Sequence, residues 1–195
     1  MSKRTLIVVV AVAAAILATS LVGISNSDGF WGDGYRHHQR NIPIAWKVSG
    51  TLAYVQLAPL PDPSMTMPGI IIDIVAKGAP GNAESKVIGI ADGVVPDMDG
   101  DCEAGLKLLF LQDDMVVTFE DQSMLFATMD TTKESFLCFQ DPSPQLAVAH
   151  MMIIGGTGKY EGASGEFTGT FHGQQVGVSG ALGAETGTIV GEIEK

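Results

Sequence analysis

Few side chains in this 195-residue chain are both reactive in type and set where their chemistry would be unusual. Asp73 is one, because it stands between Ile71-Ile72 and Ile74-Val75. A carboxylate within an apolar run either points to water or is desolvated, and desolvation raises its pKa toward values useful for acid catalysis. Glu166 and His172 are the other candidate catalytic residues. Glu166, Thr168, Thr170 and His172 alternate with Phe167, Gly169 and Phe171, so the polar set shares one face of a strand. On an inner face, Glu166 and His172 could act as acid and base over an apolar ligand. Their separation of roughly 20 Å at strand rise is too long for both to reach one atom. If the phenylalanines take the inner face, the polar stripe is a solvent face. His150 lies on the preceding apolar segment and would come near Thr170 or His172, depending on register. Two facing histidines would make a proton-transfer or metal site.

Metal chemistry has two weaker candidates. Asp97, Asp99, Asp101 and Glu103 alternate through one loop, an oxygen-rich pattern that can hold calcium. Gly100 falls at the fourth position rather than the sixth that an EF-hand needs, and Cys102 interrupts the set. Met65 and Met67 with His37 and His38 have the ligand types that suit copper, but a whole strand separates the pairs. The expectation is no metal and no cofactor, with methionines filling the core. Phosphate loops, nucleophile elbows and HExxH helices are absent from the sequence.

The elements that must position these residues read as strands throughout. Ile44, Trp46, Val48, Leu52 and Tyr54 recur at even positions, a period of two. Gly69–Ala76, Lys86–Val95, Leu106–Leu111, Met115–Phe119, Ser123–Met129, Glu134–Phe139, Leu146–Ile154, Glu166–His172 and Thr186–Ile193 follow, with Asp113-Asp114 read as a turn. Short strands separated by turns every eight to twelve residues indicate an all-β sandwich or barrel. Sequential pairing favours the barrel, since closure leaves no unpaired edge. Trp46, Tyr54, Phe110, Phe119, Phe126 and Phe167 are candidate ligand-binding residues of its lumen, or simply its filling.

Residues 1–25 stand apart. Lys3 and Arg4 precede an uncharged apolar run from Leu6 to Ile24, the layout of a secretory signal, with an uncleaved membrane anchor as the alternative. Residues 26–41 are a polar, glycine-rich leader expected to be flexible, and 42–195 form one β-barrel domain. The expected location is secreted or periplasmic, or anchored at the membrane. Without Lys3 and Arg4, nine basic residues face twenty-two acidic ones, a net charge of −13. Phosphate backbones and anionic headgroups would repel such a surface, so nucleic acid is excluded as a partner. Cys102 and Cys138 are the two cysteines, and an oxidising compartment favours their pairing. Such a bridge would restrict the unfolded chain by roughly 4 kcal/mol on the loop-entropy account.

The stretch GGTGKYEGASGEFTGTF, Gly155–Phe171, resembles the glycine-rich hairpin of the allene oxide cyclase-like barrel superfamily, which includes dirigent proteins. Gly156-Thr157-Gly158, Tyr160, Ala163 and Gly165 carry the likeness, and Val117–Ala127 is similar to the hairpin before it in bacterial members. The resemblance implies an antiparallel eight-stranded barrel with a central cavity, and a homotrimer as candidate assembly. It does not imply one reaction, because fold and function separate readily. The leading expectation is therefore an exported module that binds a small hydrophobic molecule without covalent catalysis. The alternatives are an isomerase or cyclase acting on an oxidised lipid, with Asp73 or Glu166 as its polar group, and a structural, oligomerising protein of the cell envelope.

Overall fold

The computed structural model describes residues 41–57, 67–103, 105–138, 145–176 and 182–195. The N-terminal segment, the leader as far as residue 40, and Met65 with His37-His38 lie outside these residues. The described residues form nine strands: β1 Asn41–Leu57, β2 Met67–Ala79, β3 Ala83–Pro96, β4 Leu106–Phe119, β5 Met124–Met129, β6 Phe136–Cys138, β7 Gln145–Thr157, β8 Ser164–Val176 and β9 Leu182–Glu194. Every pairing is antiparallel. The order β3-β2-β1-β9-β8-β7-β5-β4 returns to β3, so the sheet closes on itself. β5 and β6 both sit between β4 and β7, at opposite ends, and share one place in the ring. The result is a closed barrel with eight strand positions.

Alternation decides which residues fill it. Ile70, Ile72, Ile74 and Ala76 of β2 are buried, as are Ile44, Trp46 and Val48 of β1 and Met115, Val117 and Phe119 of β4. The intervening residues face out, as the period of two requires. On β8 the phenylalanines take the inner face. Phe167 and Phe171 lie opposite Gly191 and Gly187 of β9, where a Cβ would overlap the phenylalanine backbone.

One end of the barrel is plugged. The ring of Phe119 lies 6.0 Å from that of Trp46 and 4.5 Å from that of Tyr160. Trp46 Nε1–H donates to the Gly81 carbonyl at 2.8 Å, so the buried indole leaves no polar atom unpaired. Tyr160 comes from the glycine-rich hairpin, whose 3-10 turn spans Gly158–Tyr160. Gly158 and Gly162 have φ of +60° and +73°, values glycine adopts without strain, and they fold the loop tightly enough to press Tyr160 inward.

Asp113-Asp114 is not a turn. β4 runs unbroken through both, with Asp113 opposite Gly89 of β3 and Asp114 opposite Thr128 of β5. Partners on both sides override the turn preference of an aspartate pair. Cys102 and Cys138 form a disulfide with Cα atoms 5.3 Å apart, tying the loop after β3 to β6. No helix among the described residues is long and apolar enough to cross a membrane.

Candidate functional site

Above the aromatic plug the lumen opens into a cavity of about 50 Å³. Its wall is apolar apart from Asp113, Gln145 and Glu185, and includes the rings of Phe110, Phe167 and Phe171. Asp113 belongs to β4 and Glu185 to β9. Four steps separate these strands in either direction around the ring, so the two acids stand on opposite walls.

Local sequence explains how each acid comes to point inward. On β4, Met115, Val117 and Phe119 are inner residues, and the same phase carried back two positions reaches Asp113. Its cross-strand partner is Gly89, where a Cβ would collide with Asp113 Oδ1. Glycine at that point is what admits the carboxyl group. On β9, the inner phase of Ile193 and Ile189 carried back through Gly187 reaches Glu185.

Asp113 is 3% exposed and Glu185 5%. Asp113 Oδ1 and Glu185 Oε1 are buried without a hydrogen-bond partner among the described residues. Burial raises the Asp113 carboxyl to about 7, with the neighbouring Asp114 charge adding to the effect. Burial alone raises Glu185 to about 7. Both acids therefore pass between neutral donor and charged acceptor near neutral pH.

A polar bar crosses the lumen near the end opposite the plug. Tyr54 O–H donates to Gln145 Oε1 at 2.9 Å. β1 and β7 are three steps apart around the ring, so this bond is a chord between walls rather than a ladder contact. Burial raises the Tyr54 pKa, the Gln145 bond works against that, and the Glu185 charge adds to it.

The candidates named from sequence divide sharply. Phe110 and Phe167 line the cavity, and Tyr54 spans its mouth. Trp46 and Phe119 are buried in the plug instead. Phe126 alternates with the buried Leu125 and Ala127, so it lies on the outer face. Asp73 is outside as well, since Ile72 and Ile74 take the inner positions on either side. Its side chain is 60% exposed and pairs with Lys86 of β3 at 2.8 Å. Glu166 is exposed and pairs with Lys133 at 2.7 Å, and His172 is exposed on the same outer stripe of β8. The register sets His150 opposite Thr168, with Nδ1 and Oγ1 3.1 Å apart, and sets His172 opposite Leu146. The two histidines therefore form no shared site.

The acidic loop is occupied by a lysine. Lys107 Nζ lies 3.2 Å from Asp97, 3.4 Å from Asp99, 2.7 Å from Asp101 and 2.7 Å from Glu134. It also sits 4.7 Å from the centre of the Phe136 ring. Burial opposes the charge, but hydrogen bonds to Asp101, Glu134 and Asp97 outweigh it and hold the ammonium well above the ordinary lysine range. The cation that these carboxylates surround is thus part of the chain. The loop serves to brace the disulfide, with the Cys102 N–H donating to Asp97 Oδ2 at 2.7 Å.

The architecture defines the class: a closed antiparallel barrel of eight strand positions, with a plugged end, an apolar lumen and two buried acids. The eight-position antiparallel barrel is the fold expected from the sequence. Among solved structures, the chain is similar to a pterocarpan synthase dirigent protein at 14% identity and a TM-score of 0.44, over 87% of this chain and 95% of that one. No family model and no curated protein matches the chain.

Proposed function

We propose that this protein is an exported barrel module that holds a small, largely apolar molecule in its lumen without covalent chemistry. The observation that carries the reading is the pair of unpartnered carboxyl oxygens, on Asp113 and Glu185, buried in an otherwise apolar cavity. A buried polar atom without a partner is costly, and a ligand that supplies the missing hydrogen bonds recovers that cost on binding. The cavity of about 50 Å³ has room for a few waters or the compact head of a ligand, and a guest of benzyl size requires the lumen to widen. A larger guest requires the Tyr54–Gln145 bar to part, so entry is through that mouth. The disulfide is consistent with an oxidising compartment and so supports export. Native mass spectrometry of protein purified from its own envelope tests the reading. A carried small molecule that leaves on gentle activation is the expected result; bare protein under conditions that preserve weak complexes would count against it.

The two acids also favour a second reading, an isomerase or cyclase. Two carboxyls near neutral pKa on opposite walls could donate a proton to one end of a bound molecule and remove one from the other. Deuterium entering the carried ligand from heavy water, and failing to enter it with Asp113→Asn protein, would mark that chemistry.

A further inference from the structure

We propose, resting on the lumenal-binding reading, that the lumen selects small lipophilic amines over neutral molecules of the same shape and turns carboxylates away. Three features of the wall point to that ligand chemistry. First, the two unpartnered atoms are both carboxyl oxygens, acceptors in the charged form that an ammonium favours, and they stand on opposite sides of the cavity. A protonated amine carries three N–H donors on one compact centre, so it can serve more than one acceptor at once. Hydrogen bonds between an ammonium and a carboxylate are also stronger than neutral ones, more so where water is excluded.

Second, among the described residues the wall contains no lysine, arginine or histidine. A bound carboxylate would find no counter-charge and would face two acids. An ammonium would be the lumen's only cation and would draw the neighbouring acid into its charged form. Third, Phe110, Phe167 and Phe171 present ring surface in the same cavity, and aromatic faces attract a cation that has lost part of its hydration shell. They also supply the apolar contact for the rest of the molecule. The chain's net charge of −11 biases approach in the same sense, favouring cations over anions at the mouth.

The contrast with Lys107 strengthens the argument. Where this fold gathers carboxylates around one point, it supplies a buried lysine from its own chain. The two lumenal acids are more deeply buried than Asp99, Asp101 and Glu134, yet among the described residues no such lysine reaches them, leaving the place of the cation to a guest.

The test uses three probes with one skeleton: benzylamine, benzyl alcohol and benzoate, titrated calorimetrically into the purified protein at neutral pH. Benzylamine is expected to bind about tenfold or more tightly than benzyl alcohol, in line with a charge-assisted bond, and benzoate not at all. In Glu185→Gln protein, and separately in Asp113→Asn protein, the amine preference should fall toward that of the alcohol. Near-ultraviolet circular dichroism confirms that each variant keeps its packed core. Equal binding of amine and alcohol would overturn the amine assignment while leaving lumenal binding in place. Failure of all three probes to bind would overturn both. An amine preference unchanged in both variants would place the amine on the acidic exterior, and would also overturn the proposal.

Discussion

Two groups of acids meet buried structure in this protein, one around the buried Lys107 and one in the lumen, and they are built in opposite ways. Around Lys107, four carboxylates converge on one ammonium that is 2% exposed, and every contact is within 3.4 Å. In the lumen, Asp113 and Glu185 are about as deeply buried as that lysine, yet each has an oxygen with no partner. The first arrangement completes itself and acts on the disulfide loop beside it. The second is incomplete within the chain, which is why it reads as a place for something else. Burial of charge alone would have marked both as sites, whereas partnering separates them.

The largest expected effect breaks the completed group. Lys107→Met removes the cation and leaves the buried Asp97 carboxylate without its lysine, beside three solvent-exposed acids, so unfolding stability should drop by about 3 kcal/mol in urea titrations near neutral pH. Ligand affinity of the lumen should hardly change. A drop below about 1 kcal/mol would mean that the cage is only a surface network.

The lumenal acids respond in the opposite direction. Their folded values of about 7 exceed ordinary carboxyl values, so the folded protein retains protons that the unfolded chain has released. Stability should therefore be greatest below about pH 4 with respect to these groups. It should fall as pH rises from about 4 to 7, then level off. Asp113→Asn should flatten part of that slope and stabilise the protein at pH 8 by on the order of 2 kcal/mol. Denaturant midpoints at pH 5 and pH 8 check both points. A variant no more stable than the parent at pH 8 would show that Asp113 is solvated in solution.

A smaller effect concerns the mouth. Tyr54→Phe deletes the donor to Gln145 and should cost about 1 kcal/mol. Stopped-flow measurement should show faster probe entry and exit, which a merely structural bond would leave unchanged. Smallest of all is Asp73→Asn. Asp73 shares a solvent-exposed pair with Lys86, and its loss should change stability by less than about 0.5 kcal/mol and leave binding untouched. A large binding effect there would overturn the distinction between inner and outer acids.

Asp73 and Asp113 also show how far the sequence could be read. Each is an aspartate near apolar residues, and only strand phase tells them apart. For Asp73 the phase was available: Ile70, Ile72 and Ile74 form one face and the aspartate falls on the other. For Asp113 it was hidden, because Asp113-Asp114 has the composition of a turn and seemed to separate the strand Leu106–Leu111 from the strand that begins at Met115. Glu185 was hidden in a related way. It lies one residue before Thr186, where the alternating run appears to start, but β9 begins at Leu182. In both places the strand is extended by pairing with its neighbours, and that pairing is not visible in a local window. Phe126 is the converse case, an aromatic residue that suggests a wall but alternates outward between Leu125 and Ala127.

The sequence by itself determined the all-β character, through its period of two and its glycine and proline punctuation. It favoured a barrel through sequential turns and favoured the pairing of its two cysteines, while the count of eight strands came from the resemblance carried by the glycine-rich hairpin. Those properties depend on local spacing and composition. Which acids face the lumen, which aromatics form the plug, and which carboxylates meet a lysine were decided only by closure of the sheet. Closure brings β4 opposite β9 and β1 across from β7, residues far apart in the chain whose contact no local pattern encodes.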